Sequence, residues 1–352
     1  FENIISMREL KKIPFSDAVE PLLNRLENNN EIIMRVIFRI FSIKSDRTII
    51  NTLKIQLYNS DKNIRMNAIE TLENVADQKI VKGIIPVFEF TEQSEIIEAA
   101  KKLWKLEEVK YQKTLIDLLH DNDPWARACS AYIMGELSHN DFEKPLKNYL
   151  DTYNQKLSSI KSETNSERSE QKLQNFINEN FLVCENIKIA LQNIETLKKL
   201  LFEEDFIMPE KSDLLPLMER IIFLKKIPIF SRLEAEKLTS IANLLEEKNY
   251  PENIEICKEN TPGEALYIVV NGELKKENKS KNIFIETIKN YSFFGELSLL
   301  DDKNHSYTVT TVSPSKLFII QKKDFLYLLE KNSAIGLALI KQMCFTIREL
   351  RS

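Results

Sequence analysis

Apolar residues that return every 31 positions constrain this chain more than any other feature. Leu22, Leu53, Ile84, Leu115 and Leu146 each open an amphipathic segment. Leu26, Leu57, Phe88, Leu119 and Leu150 form a second row in the same register, and Ile37, Ala68, Ala99 and Ser130 a third that stays aliphatic or small. Phe41, Leu72, Leu103 and Met134 form a fourth. Two helices fit into about 30 residues, but one such pair cannot bury its apolar faces alone, so the units must stack. The expected product is an all-α solenoid over residues 1–151.

Two units carry a further pattern, Asp61-Lys62-Asn63-Ile64-Arg65-Met66-Asn67-Ala68 and Asp123-Pro124-Trp125-Ala126-Arg127-Ala128-Cys129-Ser130. The Asp caps a helix, Pro124 suits its first turn, and the Arg four residues on reaches acceptors in its own or the next repeat. This pattern resembles HEAT repeats, with their Asp-x-x-Val-Arg-x-x-Ala. The unit from Ile84 holds Glu92 and Ile96 at the Asp and Arg slots, and the first unit Asn30 and Met34. The resemblance implies a HEAT-like surface for a protein partner, with a rigid spacer as the alternative. Trp125 is expected to pack between repeats.

With 352 residues there is room for two or three domains. A net charge of −4 gives no general attraction to nucleic acid or to anionic membranes. Cys129, Cys184, Cys257 and Cys344 are scattered without a CxxC pair and read as buried thiols of a reducing, cytoplasmic compartment. No run reaches the ~18–20 apolar residues of a membrane span. A membrane link would therefore need a segment outside this chain, which opens on Phe1 rather than Met and reads as a piece of a longer protein.

Residues 152–212 are expected to join two domains. Tyr153 to Lys172 is rich in Ser, Glu, Lys, Asn and Gln and reads as a loop or disordered insertion. Phe176, Val183, Ile187, Ala190, Ile194, Leu197 and Leu201 then recur at helical steps around the polar Asn180. Packing within the chain is expected, with homo-oligomerisation through this stripe as the alternative. Glu203-Glu204-Asp205 and Pro209 mark its end.

Over 213–352 the pattern changes. A helix is expected from Leu214 to Lys226, and the capping box Ser231-Arg232-Leu233-Glu234 opens another that runs to Glu246. Short strands follow at Ile254–Cys257, Ala265–Val270, Glu273–Glu277, Ile283–Ile288, Tyr307–Val312 and Lys316–Ile320. Asn271-Gly272 predicts a tight hairpin. Between the last strands lies Phe294-Gly295-Glu296-Leu297-Ser298-Leu299-Leu300, a loop plus helical turn whose free N–H groups can face an anion. Terminal helices are expected at Asp324–Lys331 and Ala334–Arg351.

This element order, with Ile227-Pro228-Ile229-Phe230-Ser231, Leu266 to Leu274 and the Phe-Gly-Glu-Leu stretch, resembles the cyclic nucleotide-binding domain family. The resemblance implies an α+β domain, an antiparallel β-roll with flanking helices. It also implies a nucleotide ligand, cAMP, cGMP or a related one, lined by Phe294, Gly295, Glu296, Leu297, Ser298, His305, Ser306 and Thr308, with Glu296 on the ribose hydroxyl. The family's Pro-Arg-Ala-Ala slots hold Asn304, His305, Ser306 and Tyr307. A mostly neutral His305 in the phosphate-binding arginine's place forgoes a charge-assisted hydrogen bond of about 1.5–3 kcal/mol, roughly tenfold to a hundredfold in affinity. Lys289 and Tyr291 replace glycines, and Tyr307 puts a ring where the family has alanine. Lys275, Lys276, Lys279 and Lys281 read as a solvated hairpin tip.

His120, His139 and His305 lack metal-ligand spacing, and no nucleophile triad, phosphate loop or dinucleotide fingerprint occurs. The expectation is a non-catalytic, multidomain regulatory or scaffolding module without a DNA-reading element. A purely structural assembly protein is one alternative. The other rests on architecture, which is similar to the cytosolic tail of bacterial transporters related to ATP/ADP translocases.

Overall fold

The computed structural model describes residues 1–352 apart from 14–15, 105, 107–108, 163–166, 203–214, 232, 234 and 350–352. The chain divides into two compact units, Phe1–Met208 and Pro209–Ser352.

The first unit is helical: α1 (Glu2–Leu10), α2 (Val19–Lys44), α3 (Arg47–Leu57), α4 (Lys62–Val75), α5 (Gln78–Glu89), α6 (Gln93–Trp104), α7 (Tyr111–Leu118), α8 (Pro124–Leu137), α9 (Glu143–Ser162) and α10 (Glu167–Phe202). Leu22, Leu53, Ile84, Leu115 and Leu146 are all buried, as are Leu26, Leu57, Phe88 and Leu119. The Asp61 carboxylate accepts from the N–H of Asn63 at 2.8 Å and that of Asp123 from Trp125 at 3.2 Å. Arg65 donates to the carbonyls of Asn59 and Ser60 and to Phe88 in the next helix pair. Arg127 likewise reaches the carbonyls of Asp121 and Asn122 and the side chain of Asn180. Trp125 is buried.

Four features depart from expectation. The first 31-residue repeat is not a helix pair but the single helix α2, because Glu27-Asn28-Asn29-Asn30-Glu31 has no Pro, Gly or Asp to break the ladder. Leu103 lies 52 % exposed, since α6 turns Ile96, Ile97 and Ala100 inward instead. The polar stretch is helical over its described part, in α9 and α10. Its Lys, Glu and Gln are good helix formers, and Tyr153 stacks on Phe176 across the two helices with centroids 5.3 Å apart. Finally, α1 packs against α6 and α7, and α2 against α8. Arg25 is ion-paired with Asp123, and Ser16 bonds to Glu136. An open stack of repeats touches only its neighbours, so these helices form a closed set.

The stripe on α10 packs onto α8 through the buried Val183, Ile187, Ala190 and Ile194. Gly135 makes the approach feasible, because a Cβ there would lie 2.9 Å from Ala190 Cα. Asn186 and Asn193 donate to the carbonyls of Ala128 and Gly135.

The second unit opens with α11 (Leu217–Lys225) and α12 (Ala235–Leu244). Arg232 and Glu234 of the expected capping box lie outside the described residues. The strands β1 (Glu246–Tyr250), β2 (Glu255–Cys257), β3 (Ala265–Asn271), β4 (Leu274–Asn278), β5 (Ile283–Ile288) and β6 (Phe293–Phe294) follow. Then come α13 (Glu296–Leu300), β7 (Thr308–Thr311), β8 (Ser315–Gln321), α14 (Lys322–Lys331) and α15 (Ser333–Glu349). They make two antiparallel sheets, β1-β8-β3-β6 and β2-β7-β4-β5, around a core of Val269, Leu274, Phe294, Val309 and Leu317.

Strand β1 was not expected, since Glu246-Glu247-Lys248-Asn249-Tyr250 lacks an apolar alternation; pairing with β8 creates it. The buried Glu247 side chain anchors it to Lys316 at 2.7 Å and to Arg220 at 3.6 Å. Asn271-Gly272 does not close a hairpin. Gly272, with φ +110°, hands the chain from one sheet to the other, and β4 pairs with β5 and β7. Cys129, Cys184 and Cys257 are buried as expected, whereas Cys344 is exposed on α15. Among the described residues no helix is long and apolar enough to cross a membrane.

Candidate functional site

The site forms where β6 gives way to α13. Phe294 is buried and stacked on Tyr267, with centroids 5.1 Å apart and planes at 13°. Gly295 then turns the chain with φ +95°, and a Cβ there would lie 2.7 Å from the Ala265 carbonyl oxygen. Only glycine satisfies both conditions. The turn drives the Glu296 side chain inward and leaves Leu297 exposed.

Glu296 Oε2 is buried and has no hydrogen-bond partner among the described residues. Burial pushes its carboxyl above the usual carboxylate range, against the pull of its own backbone N–H and the field of Lys276, and Glu286 adds to the rise. A buried acceptor without a donor costs about 1–3 kcal/mol. The carboxylate is thus an open acceptor, suited chemically to a hydroxyl.

Ser298 and His305 are buried together and share a hydrogen bond, Oγ to Nδ1 at 2.9 Å. Burial lowers the pKa of His305, so the ring is neutral at pH 7. Its backbone is clamped as well: its N–H donates to Thr261 at 2.8 Å, and its carbonyl accepts from Asn260 at 2.8 Å. Ser306 is exposed, with its carbonyl accepting from Asn278 at 3.0 Å. The buried Thr308 accepts the N–H of Glu259 at 3.1 Å. The fold therefore gathers Glu296, Ser298 and His305, while Ser306 and Thr308 hold neighbouring loops in place.

Three further groups belong to this cluster. The Gly295 N–H donates to Tyr307 Oη at 3.3 Å, so the ring that replaces alanine occupies the amide of the turn. Burial, then the charge of Glu296, pushes the Tyr307 phenol upward. Lys276 Nζ sits 4.3 Å from the Tyr307 ring centroid and 2.9 Å from Glu286 Oε1. The sequence reading placed Lys276 in a solvated tip. The alternation Leu274, Lys276 on β4 was the available signal, because it puts the lysine on the same face as a core leucine.

Residues 247–332 match the family model for the cyclic nucleotide-binding domain. The C-terminal unit contains a cyclic nucleotide-binding domain. A cAMP-dependent protein kinase regulatory subunit of Aspergillus fumigatus is 32% identical over 107 residues, 30% of this chain and 26% of that protein. One from Pyricularia oryzae is 34% identical over 107 residues, 30% and 27% of the two chains. The chain thus covers about a quarter of the length of these curated relatives. The regulatory domain of Toxoplasma gondii PKA with cAMP shares 21% identity, 36% of this chain and 49% of that one, with a TM-score of 0.33.

Proposed function

We propose that the chain is a non-catalytic regulatory module whose cyclic nucleotide-binding domain senses a nucleotide-type ligand through Glu296, while the helical unit holds a protein partner. The observation that carries this reading is the buried, unpartnered Glu296 Oε2 at the start of α13. Evolution of a buried carboxylate without a donor is costly unless a ligand supplies one. The similarity to kinase regulatory subunits supports a regulatory role and makes a kinase-type partner one candidate. For the helical unit, the buried 31-residue rows and the Asp caps support a HEAT-like origin, although α1 packs against α6 and α7 and α2 against α8.

A second reading has its own observation. The Gly295 amide is already taken by Tyr307, and His305 is spent on Ser298, which favours a domain kept for protein docking alone. Calorimetric titration of the whole chain with cAMP and cGMP decides between them, with Glu296→Ala as control. Micromolar binding that disappears in the variant supports the sensor, and no heat at millimolar ligand removes it in favour of docking.

A further inference from the structure

The domain lacks a cation at the arginine slot, yet it does not lack one at the site. Lys276 reaches in from β4, and its ammonium lies over the Tyr307 ring while that ring's hydroxyl rests on the Gly295 amide. The lysine side chain is mostly buried, 18% exposed, whereas its partner Glu286 is 55% exposed at the rim of β5. One ammonium therefore touches both the Tyr307 ring inside the cluster and the carboxylate at the strand rim. Its field is also felt by Glu296 on the cassette and by Cys257 on β2.

We propose that Lys276 supplies the positive charge for a ligand phosphate in this domain, with Glu286 as the counter-ion it releases on binding. The inference rests on the nucleotide-sensing reading above. His305 cannot serve: it is neutral, clamped by its backbone and bonded to Ser298. Glu286 lies at the exposed rim, where water solvates its carboxylate once the lysine turns to a phosphate. A compact ammonium on a flexible stem binds phosphate as a point charge, without the planar fork of a guanidinium.

Isothermal calorimetry with cAMP and with adenosine, on wild-type chain and on Lys276→Gln, Lys276→Arg and Glu286→Gln, tests this assignment. Lys276→Gln should weaken cAMP roughly tenfold to a hundredfold, the loss expected for one charge-assisted contact. It should leave adenosine, which has no phosphate, unchanged. Lys276→Arg should retain cAMP, and Glu286→Gln should tighten it by freeing the lysine. Equal cAMP affinity in wild type and Lys276→Gln overturns the role of Lys276 while leaving the sensor intact. Absence of cAMP and cGMP binding to both wild type and Glu286→Gln at millimolar ligand overturns the sensor and this inference together. Circular dichroism of each variant guards against misfolding, and Glu286→Gln, altered at the exposed rim, provides the independent arm.

Discussion

Replacing Glu296 with glutamine separates what the carboxylate costs the fold from what it offers a ligand. In the native domain Oε2 is buried without a donor, and burial raises the carboxyl pKa. A raised native value means that the folded state keeps its proton over an interval in which the unfolded chain has lost it. Stability then falls as pH rises from the ordinary carboxylate value of about 4.3 through the native value, and it stays lower above that. Glutamine does not titrate, so the variant's advantage should be close to zero at pH 4 and grow to a plateau above the native value. The plateau is the cost of ionising the buried carboxyl, about 1.4 kcal/mol for each unit by which burial raises it, because glutamine keeps an uncharged polar group at the same place. For a domain of this size that is roughly 3–5 °C in Tm per kcal/mol. Both tryptophans, Trp104 and Trp125, lie in the first unit, so their fluorescence follows that unit alone. Hydrogen exchange of the β-strand amides across pH 4–8 follows the second. A variant no more stable than wild type at pH 8, or a gain that does not change with pH, refutes the reasoning.

Gly295→Ala should destabilise the second unit by about 2–4 kcal/mol through its left-handed φ and the contact with the Ala265 carbonyl, lowering strand protection with tryptophan emission unchanged. Asp123→Ala removes both the α8 cap and the Arg25 ion pair, so a loss of about 1–2 kcal/mol is expected in urea unfolding followed by tryptophan fluorescence. Thiol titration of the native chain should modify Cys344 at once and the other three only in denaturant. Burial raises Cys129 and pushes Cys184 to about 11 and Cys257 to about 12. Fast labelling of more than one thiol counts against this burial.

The sequence made the helical rows and most strands legible because burial leaves a periodic trace: Leu22 to Leu146 and Ala265 to Val270 are apolar at the required spacing. Where structure is imposed by a partner, the trace disappears. The charged run Glu246 to Tyr250 becomes a strand only because β8 lies beside it, and Asn271-Gly272 has hairpin chemistry but serves a crossing between sheets. At the site, Gly295 and Glu296 were readable from local pattern. The alternation on β4 shows which face Lys276 takes but not what it meets there, because its pairing with Glu286 and its place over Tyr307 depend on a register among β4, β5 and β7 that no short stretch encodes. The closeness of α2 to α8 was hidden for the same reason.

That closeness changes how the helical unit can melt. A linear array loses its outermost members first and tolerates the removal of one, because each boundary is worth the same. Here Arg25 and Asp123, about a hundred residues apart in sequence, are joined, so the N-terminal helices are held against α8 and do not fray on their own. Bringing such distant segments together costs chain entropy before any contact repays it, which places the docking of α1 and α2 onto α6, α7 and α8 late in folding. The unit should consequently resist shortening: excising one 31-residue period would part the two ends instead of trimming one.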